Sequence, residues 1–134
     1  MITLSQYWMG RDKMYARDLT DQIIANAMVT VQKANALLDR YEAITGDRES
    51  RHVTSGWRPP ALNAQTPGAA LRSKHMTGQA IDLSDPEGDL DEWCLDHPEV
   101  LEEIGCWQEH PSASKGWIHI QTIGPRSGRR VFYP

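Results

Sequence analysis

Cysteine is nearly absent from this chain: only Cys94 and Cys106 occur among 134 residues. Neither belongs to a Cys-x-x-Cys pair, which excludes a cysteine-built metal site. With no export signal, two free, partly buried thiols are expected in place of a disulfide. Long apolar runs are missing too. The best candidates are interrupted by Asn26, Gln32 and Asn35, so nothing approaches the roughly 18 apolar residues of a membrane span, and no membrane insertion is expected. The segment Met1–Asp12 lacks a basic flank followed by an apolar stretch, so no secretory signal peptide is visible and synthesis in the cytoplasm is expected. Positive charge is scarce as well. The 14 Lys and Arg are outnumbered by 18 Asp and Glu, for a net charge of −4, which speaks against nucleic-acid binding through the phosphate backbone. The one basic cluster, Arg126, Arg129 and Arg130, lies in a Gly/Pro/Ser tail and reads as a solvated end.

What is present is an ordinary globular balance, 40% apolar and 24% charged. It excludes disorder and a coiled-coil rod, and the length suits one domain, 1–134. From Leu19 to about Ile44 apolar residues recur at helical spacing: Ile24, Ala27, Met28, Val31, Leu38 and Tyr41. Asp18 or Thr20 can cap the start and Gly46 can end it. Residues 1–46 thus form a helical part. Residues 47–134 read as short strands and helices: strand signals at His52–Gly56, Gln79–Ser84, Ile104–Glu109 and Gly116–Thr122, and short helices at Pro60–Gln65 and Asp89–Asp96. Helices first and strands later predict an α+β fold, a long N-terminal helix packed on a small antiparallel sheet.

Two of the five histidines stand in unusual company. His75 lies in Ser73-Lys74-His75-Met76-Thr77-Gly78-Gln79-Ala80-Ile81-Asp82. If Ile81 and Leu83 enter the core, alternation turns Asp82 to the open face, beside the small Ala80. His119 repeats the pattern: Ile118 and Ile120 take the core face, leaving His119 with Trp117 and Gln121. Two imidazoles and a carboxylate with one open position suit a catalytic Zn²⁺. The same residues also read as hydrogen-bonded histidines and a turn aspartate, and spacing alone leaves both readings open.

These residues resemble a known family. Ser73, His75, Gly78, Ala80 and Asp82, followed by Trp117 and His119, match the hallmark of the zinc D-Ala-D-Ala carboxypeptidases and L-alanyl-D-glutamate endopeptidases, a family that includes phage endolysins and shares the hedgehog/DD-peptidase-like fold. Upstream, Ser55-Gly56-Trp57-Arg58-Pro59 resembles the family's Ser-Gly-Tyr-Arg segment, with Trp for Tyr, and Asn63 falls in its Pro-x-x-Asn run. The likeness covers Val53 to Gln121, about half the chain.

The resemblance implies a zinc peptidase acting on peptidoglycan stem peptides, with His75, Asp82 and His119 holding Zn²⁺. Arg58 would clamp a substrate carboxylate, although a structural role in a Pro-rich turn stays open. Ser73 would add a hydrogen bond near the metal, and Trp117 would wall the cleft and bind substrate. One departure matters. Many relatives carry the catalytic acid three positions before the final His, where this chain has Gly116. Glu109 is the expected replacement as general acid/base, with His110 the rival, sent by alternation to the opposite face. The alternative reading is a non-catalytic zinc-binding recognition or phage assembly module on the same fold. A monomer is expected, acting on the cell wall after release or as part of a phage particle.

Overall fold

A reciprocal cap opens the first helix. In the computed structural model, which describes residues 1–134, the Thr3 hydroxyl accepts the Gln6 N–H at 3.1 Å while the Gln6 side chain accepts the Thr3 N–H at 2.9 Å, starting α1 (Leu4–Trp8). A short α2 (Arg11–Met14) follows. Thr20, not Asp18, then caps the long α3 (Asp21–Thr45) by accepting the Ile23 N–H at 3.2 Å. Gly46 ends it in the left-handed conformation, φ 76°. The buried stripe is Ala27, Thr30, Val31, Ala34, Leu37 and Tyr41. Met28, expected on that face, is 58% exposed; the stripe runs through Ala27 and Val31, and one residue further round points Met28 to solvent.

The second half alternates short elements: β1 (Val53–Ser55), α4 (Pro60–Ala64), β2 (Ala80–Asp85), α5 (Asp89–Asp96), α6 (Pro98–Ile104), β3 (Trp107–Glu109), β4 (Gly116–Gln121) and β5 (Val131–Phe132). The strand expected from Ile104 begins only at Trp107. Pro98 at the first helical position favours a helix, Val100 and Leu101 bury on one side of it, and Gly105 stops it at φ 85°. The sheet order is β1-β2-β4-β3-β5. Every pairing is antiparallel except β3 with β5, which is parallel. The α+β architecture stands, with a mixed edge on the expected antiparallel sheet.

That edge corrects the reading of the tail. Val131 and Phe132 have enough apolar surface to add a strand, and Phe132 is buried. Arg130 does not end in solvent: it stacks over the Trp107 ring at 4.3 Å and donates to the Cys106 carbonyl at 3.0 Å. Arg126 and Arg129 are exposed.

The core lies between α3 and one face of the sheet. Ile81 and Leu83 of β2 pair with Ile120 and Ile118 of β4 and pack with Leu37, Trp57, Leu90 and Leu101. Each such side chain contributes on the order of 2–5 kcal/mol against truncation to Ala. Cys94 and Cys106 are buried free thiols in the same core. No helix is long and apolar enough to cross a membrane.

Candidate metal centre

The core face of β2 and β4 determines what the other face carries. With Ile81, Leu83, Ile118 and Ile120 turned inward, Asp82 and His119 fall on the opposite face, directly paired in the β2–β4 register. His119 Nδ1 lies 2.9 Å from Asp82 Oδ1.

His75 comes from a 3-10 turn, Lys74–Thr77, ahead of β2. Ser73 begins the turn by accepting the His75 N–H at 3.3 Å, and Gly78 ends it at φ 75°. A Cβ on Gly78 would sit 2.9 Å from the Ile23 carbonyl oxygen of α3, so the turn approaches the helix as closely as it does because this residue is glycine. The Thr30 hydroxyl of α3 donates to the Gly78 carbonyl at 2.7 Å and pins it there.

Both imidazoles are oriented from behind. His75 Nδ1 is 2.8 Å from the Gly56 carbonyl, which can only accept, so Nδ1 carries a proton, and Nε2 faces Asp82 Oδ1 at 3.3 Å. His119 Nε2 is 3.0 Å from Gln121 Oε1, and the Gln121 amide is itself turned by donating to the Ile123 carbonyl at 2.8 Å. Gly56 is required for this. A Cβ there would lie 1.9 Å from the Tyr7 carbonyl oxygen.

Burial pushes His75 below its ordinary pKa, against the pull of Asp82. Burial also opposes charge on His119, but the Asp82 hydrogen bond and charge, with Gln121 and Glu109, outweigh it and raise its value. Asp82 is held well below the usual carboxylate range: burial would raise it, and the hydrogen bonds from His119 and His75 win. An ionised carboxylate and two imidazoles, with ligand atoms all within 4.8 Å of one another, are a borderline-hard donor set. Each ring has its far nitrogen anchored on an acceptor, and the set opens on a cavity. These residues fit a zinc ion.

The cavity measures about 640 Å³. Besides the three candidate ligands, Arg58, Ser73, Glu109 and Trp117 line it. Arg58, on the segment after β1, is 9% exposed. Its guanidinium donates only to neutral oxygens, Asn63 Oδ1 and Ser55 Oγ, both at 3.2 Å, and burial lowers its pKa against the pull of Asp82. Glu109 ends β3, where Gln108 pairs with Ile120 of β4; one residue on, Glu109 turns to the opposite face and joins His119 in lining the cavity. Burial raises the Glu109 carboxyl above its ordinary value, opposed by His119 and aided by Asp82. His110 lies outside the lining, its ring stacked on Tyr133 at 4.5 Å between centroids. Gly116 sits exposed at the start of β4.

A family model described as Peptidase M15 matches residues 12–121, more than three-quarters of the chain. The chain belongs to the peptidase M15 family. No curated protein and no solved structure matches it. The M15 match contains all seven residues named above and stops before β5. Phe132 and Tyr133 lie beyond it, yet both line the cavity, and the Phe132 ring meets His119 edge-on at 6.3 Å. The sequence reading missed them. Their only local signal is three apolar or aromatic residues in a row, Val131-Phe132-Tyr133, after a Gly- and Arg-rich stretch. It also missed the wall from Thr66 to Ala70, whose small residues carry no chemistry to draw the eye.

Proposed function

We propose that this M15 chain is a zinc-dependent peptidase that hydrolyses peptide bonds in peptidoglycan stem peptides, of D-Ala-D-Ala carboxypeptidase or L-Ala-D-Glu endopeptidase type, with residues 1–134 working as one domain. The observation that carries the reading is the gathering of His75, Asp82 and His119 with Glu109 and Arg58 around one cavity. Zinc held by the first three would supply a Lewis acid that polarises the scissile carbonyl and makes water acidic enough to attack near neutral pH.

The remaining work falls to the chain's own groups. Glu109 receives the water's proton on its carboxylate and delivers it to the leaving amine, a role worth about 10²–10⁴ in rate. Its half-buried position supports this, since burial moves its pKa toward the working pH. Arg58 takes a substrate carboxylate in a two-pronged pair; a buried guanidinium whose own hydrogen bonds go only to neutral oxygens has desolvation already imposed and room for a carboxylate partner. Ser73 lies at the root of the His75 turn and offers a hydroxyl to substrate near the metal. Trp117, 36% exposed, forms part of the wall against which a stem peptide packs.

The alternative, a non-catalytic zinc-binding recognition or phage assembly module, rested on the glycine at 116. Glu109 in the same cavity supplies an acid that Gly116 cannot, which favours catalysis. The deciding experiment is digestion of purified peptidoglycan followed by mass-spectrometric identification of the fragments. Stem peptides shortened at one defined bond support the reading and say which bond is cut. Unaltered peptidoglycan with the zinc-loaded protein refutes it. By this reading the chain is made in the cytoplasm and meets the cell wall after release or as part of a phage particle.

A further inference from the structure

Glu109 and His119 belong to neighbouring strands joined by the loop His110–Lys115, and both roots of that loop are tied to a single buried carboxylate. Before the loop, Gln108 Nε2 donates to Asp91 Oδ1 and to the Asp91 carbonyl, the latter at 2.8 Å. After it, Ser114 Oγ donates to Asp91 Oδ2 at 3.0 Å. Asp91, Gln108 and Ser114 are 2%, 0% and 3% exposed. Asp91 is in turn fixed to the strand that carries Asp82: its N–H donates to Asp85 Oδ2 at 2.8 Å, and Asp85, the last residue of β2, is ion-paired with Arg51. A continuous set of polar bonds therefore runs from β2 through α5 to both ends of the loop.

We propose that Asp91 is a positioning residue which, through Gln108 and Ser114, fixes Glu109 relative to His75, Asp82 and His119. The proposal rests on the reading of Glu109 as the acid/base.

Stability does not account for this cluster. No salt bridge involves Asp91, and the charges that act on it, those of Asp85 and Glu109, are both acidic. Gln108 spends its amide hydrogens on Asp91, and its Oε1 is left buried without a partner. A bare buried carbonyl and an unneutralised buried acid both carry a desolvation cost that a plain apolar cluster would avoid. What the cluster supplies is direction. β3 has three residues, and its register with β4 consists of Trp107–Gln121 and Gln108–Ile120. Holding Gln108 on the core face to α5 turns its neighbour Glu109 to the site face, and holding Ser114 sets where the chain re-enters β4. A misplacement of about 1 Å in a proton-transfer group can cost about 10²-fold in rate.

The test uses full-length, zinc-loaded Ser114→Ala, Asp91→Ala and Asp91→Asn, assayed on a stem peptide well below each melting temperature, with zinc content and backbone hydrogen exchange measured alongside. Ser114→Ala and Asp91→Ala should lose about 10- to 100-fold in kcat with KM and zinc unchanged. Their amides from 108 to 116 should exchange faster while those of β2 keep their protection. Asp91→Asn should restore kcat, because its amide can accept from Gln108 through one atom and donate to the Ser114 hydroxyl through the other. Wild-type kcat in Ser114→Ala, or lowered melting temperatures without loss of kcat, would overturn the proposal. Should Asp91→Ala fail to fold, Ser114→Ala decides. A wild-type protein without turnover would overturn the peptidase reading instead; exchange then decides the clamp alone, quickened exchange upholding it and unchanged exchange refuting it.

Discussion

Asp82 and His119 face each other across β2 and β4, and one oxygen of Asp82 serves two rings: His119 Nδ1 at 2.9 Å and His75 Nε2 at 3.3 Å. The carboxylate stays ionised because its contacts with the two rings outweigh its burial. Burial meanwhile favours the neutral form of His75. Zinc needs an ionised carboxylate and neutral imidazoles; Asp82 and His75 already favour that state, and His119, whose pKa is raised, would release its Nδ1 proton on binding.

One zinc per chain is therefore expected. Elemental analysis of protein purified without added metal should give a stoichiometry near one, and His75→Ala and Asp82→Ala should each lose most of it. Full zinc retained in both variants would reject this site.

Arg58 gives a kinetic expectation. Arg58→Lys keeps the charge but loses the planar fork, so kcat/KM should fall by about 1.5–3 kcal/mol while zinc content holds. The competing possibility, that Arg58 only braces the turn through Asn63 and Ser55, requires Arg58→Lys to lower the melting temperature with kcat/KM unchanged.

The legible parts of this fold are those with a local cause. Thr20 and Gly46 mark the ends of α3, and the Ile-x-Leu and Ile-x-Ile alternations around Asp82 and His119 identify their strands and open faces. That β2 and β4 are partners is a tertiary fact, and no local pattern reports it. The rest was hidden for specific reasons. Helix α6 has only seven residues, too few for its period to show, and its apolar pair Val100-Leu101 reads equally as a strand approach. β5 is two residues long and exists because β3 offers it an edge. The clamp on Asp91 joins residues 17 and 23 positions apart and has no sequence signature.

Asp91 also makes stability depend on pH. Its carboxyl is pushed up to about 6, by burial first and by the charges of Asp85 and Glu109, against the bonds from Gln108 and Ser114; the ordinary value is 3.8. The folded state therefore keeps this proton over a range in which the unfolded chain has lost it. Stability from this group is greatest below about pH 4, falls as pH rises toward about 6, and is level above. Glu109, also raised, acts in the same direction. Urea unfolding of wild type and Asp91→Asn at a series of pH values isolates the Asp91 contribution. The variant should gain on wild type between about pH 4 and 6 and hold a constant difference above. A constant difference throughout would refute the assignment.

The choice of acid/base remains the most consequential expectation. Position 116 is glycine, so the proton acceptor must come from another strand, and Glu109 of β3 lines the same cavity as the candidate ligands. Its rival lies one residue on. The His110 ring is stacked against Tyr133 and its Nδ1 is bonded to Ser112, so it reaches neither the cavity nor the ligands. The two substitutions should therefore part company. Glu109→Gln should fold, bind zinc at the wild-type stoichiometry and lose about 10²-fold or more in kcat. His110→Ala should keep zinc and most of its activity. The acid limb of the kcat–pH profile, set by the Glu109 carboxyl in wild type, should lie above the ordinary glutamate range because burial raises that group, and it should disappear from the residual activity of Glu109→Gln. A Glu109→Gln enzyme with wild-type kcat would remove Glu109 from the mechanism, and loss of activity in His110→Ala at full zinc occupancy would pass the role to the histidine.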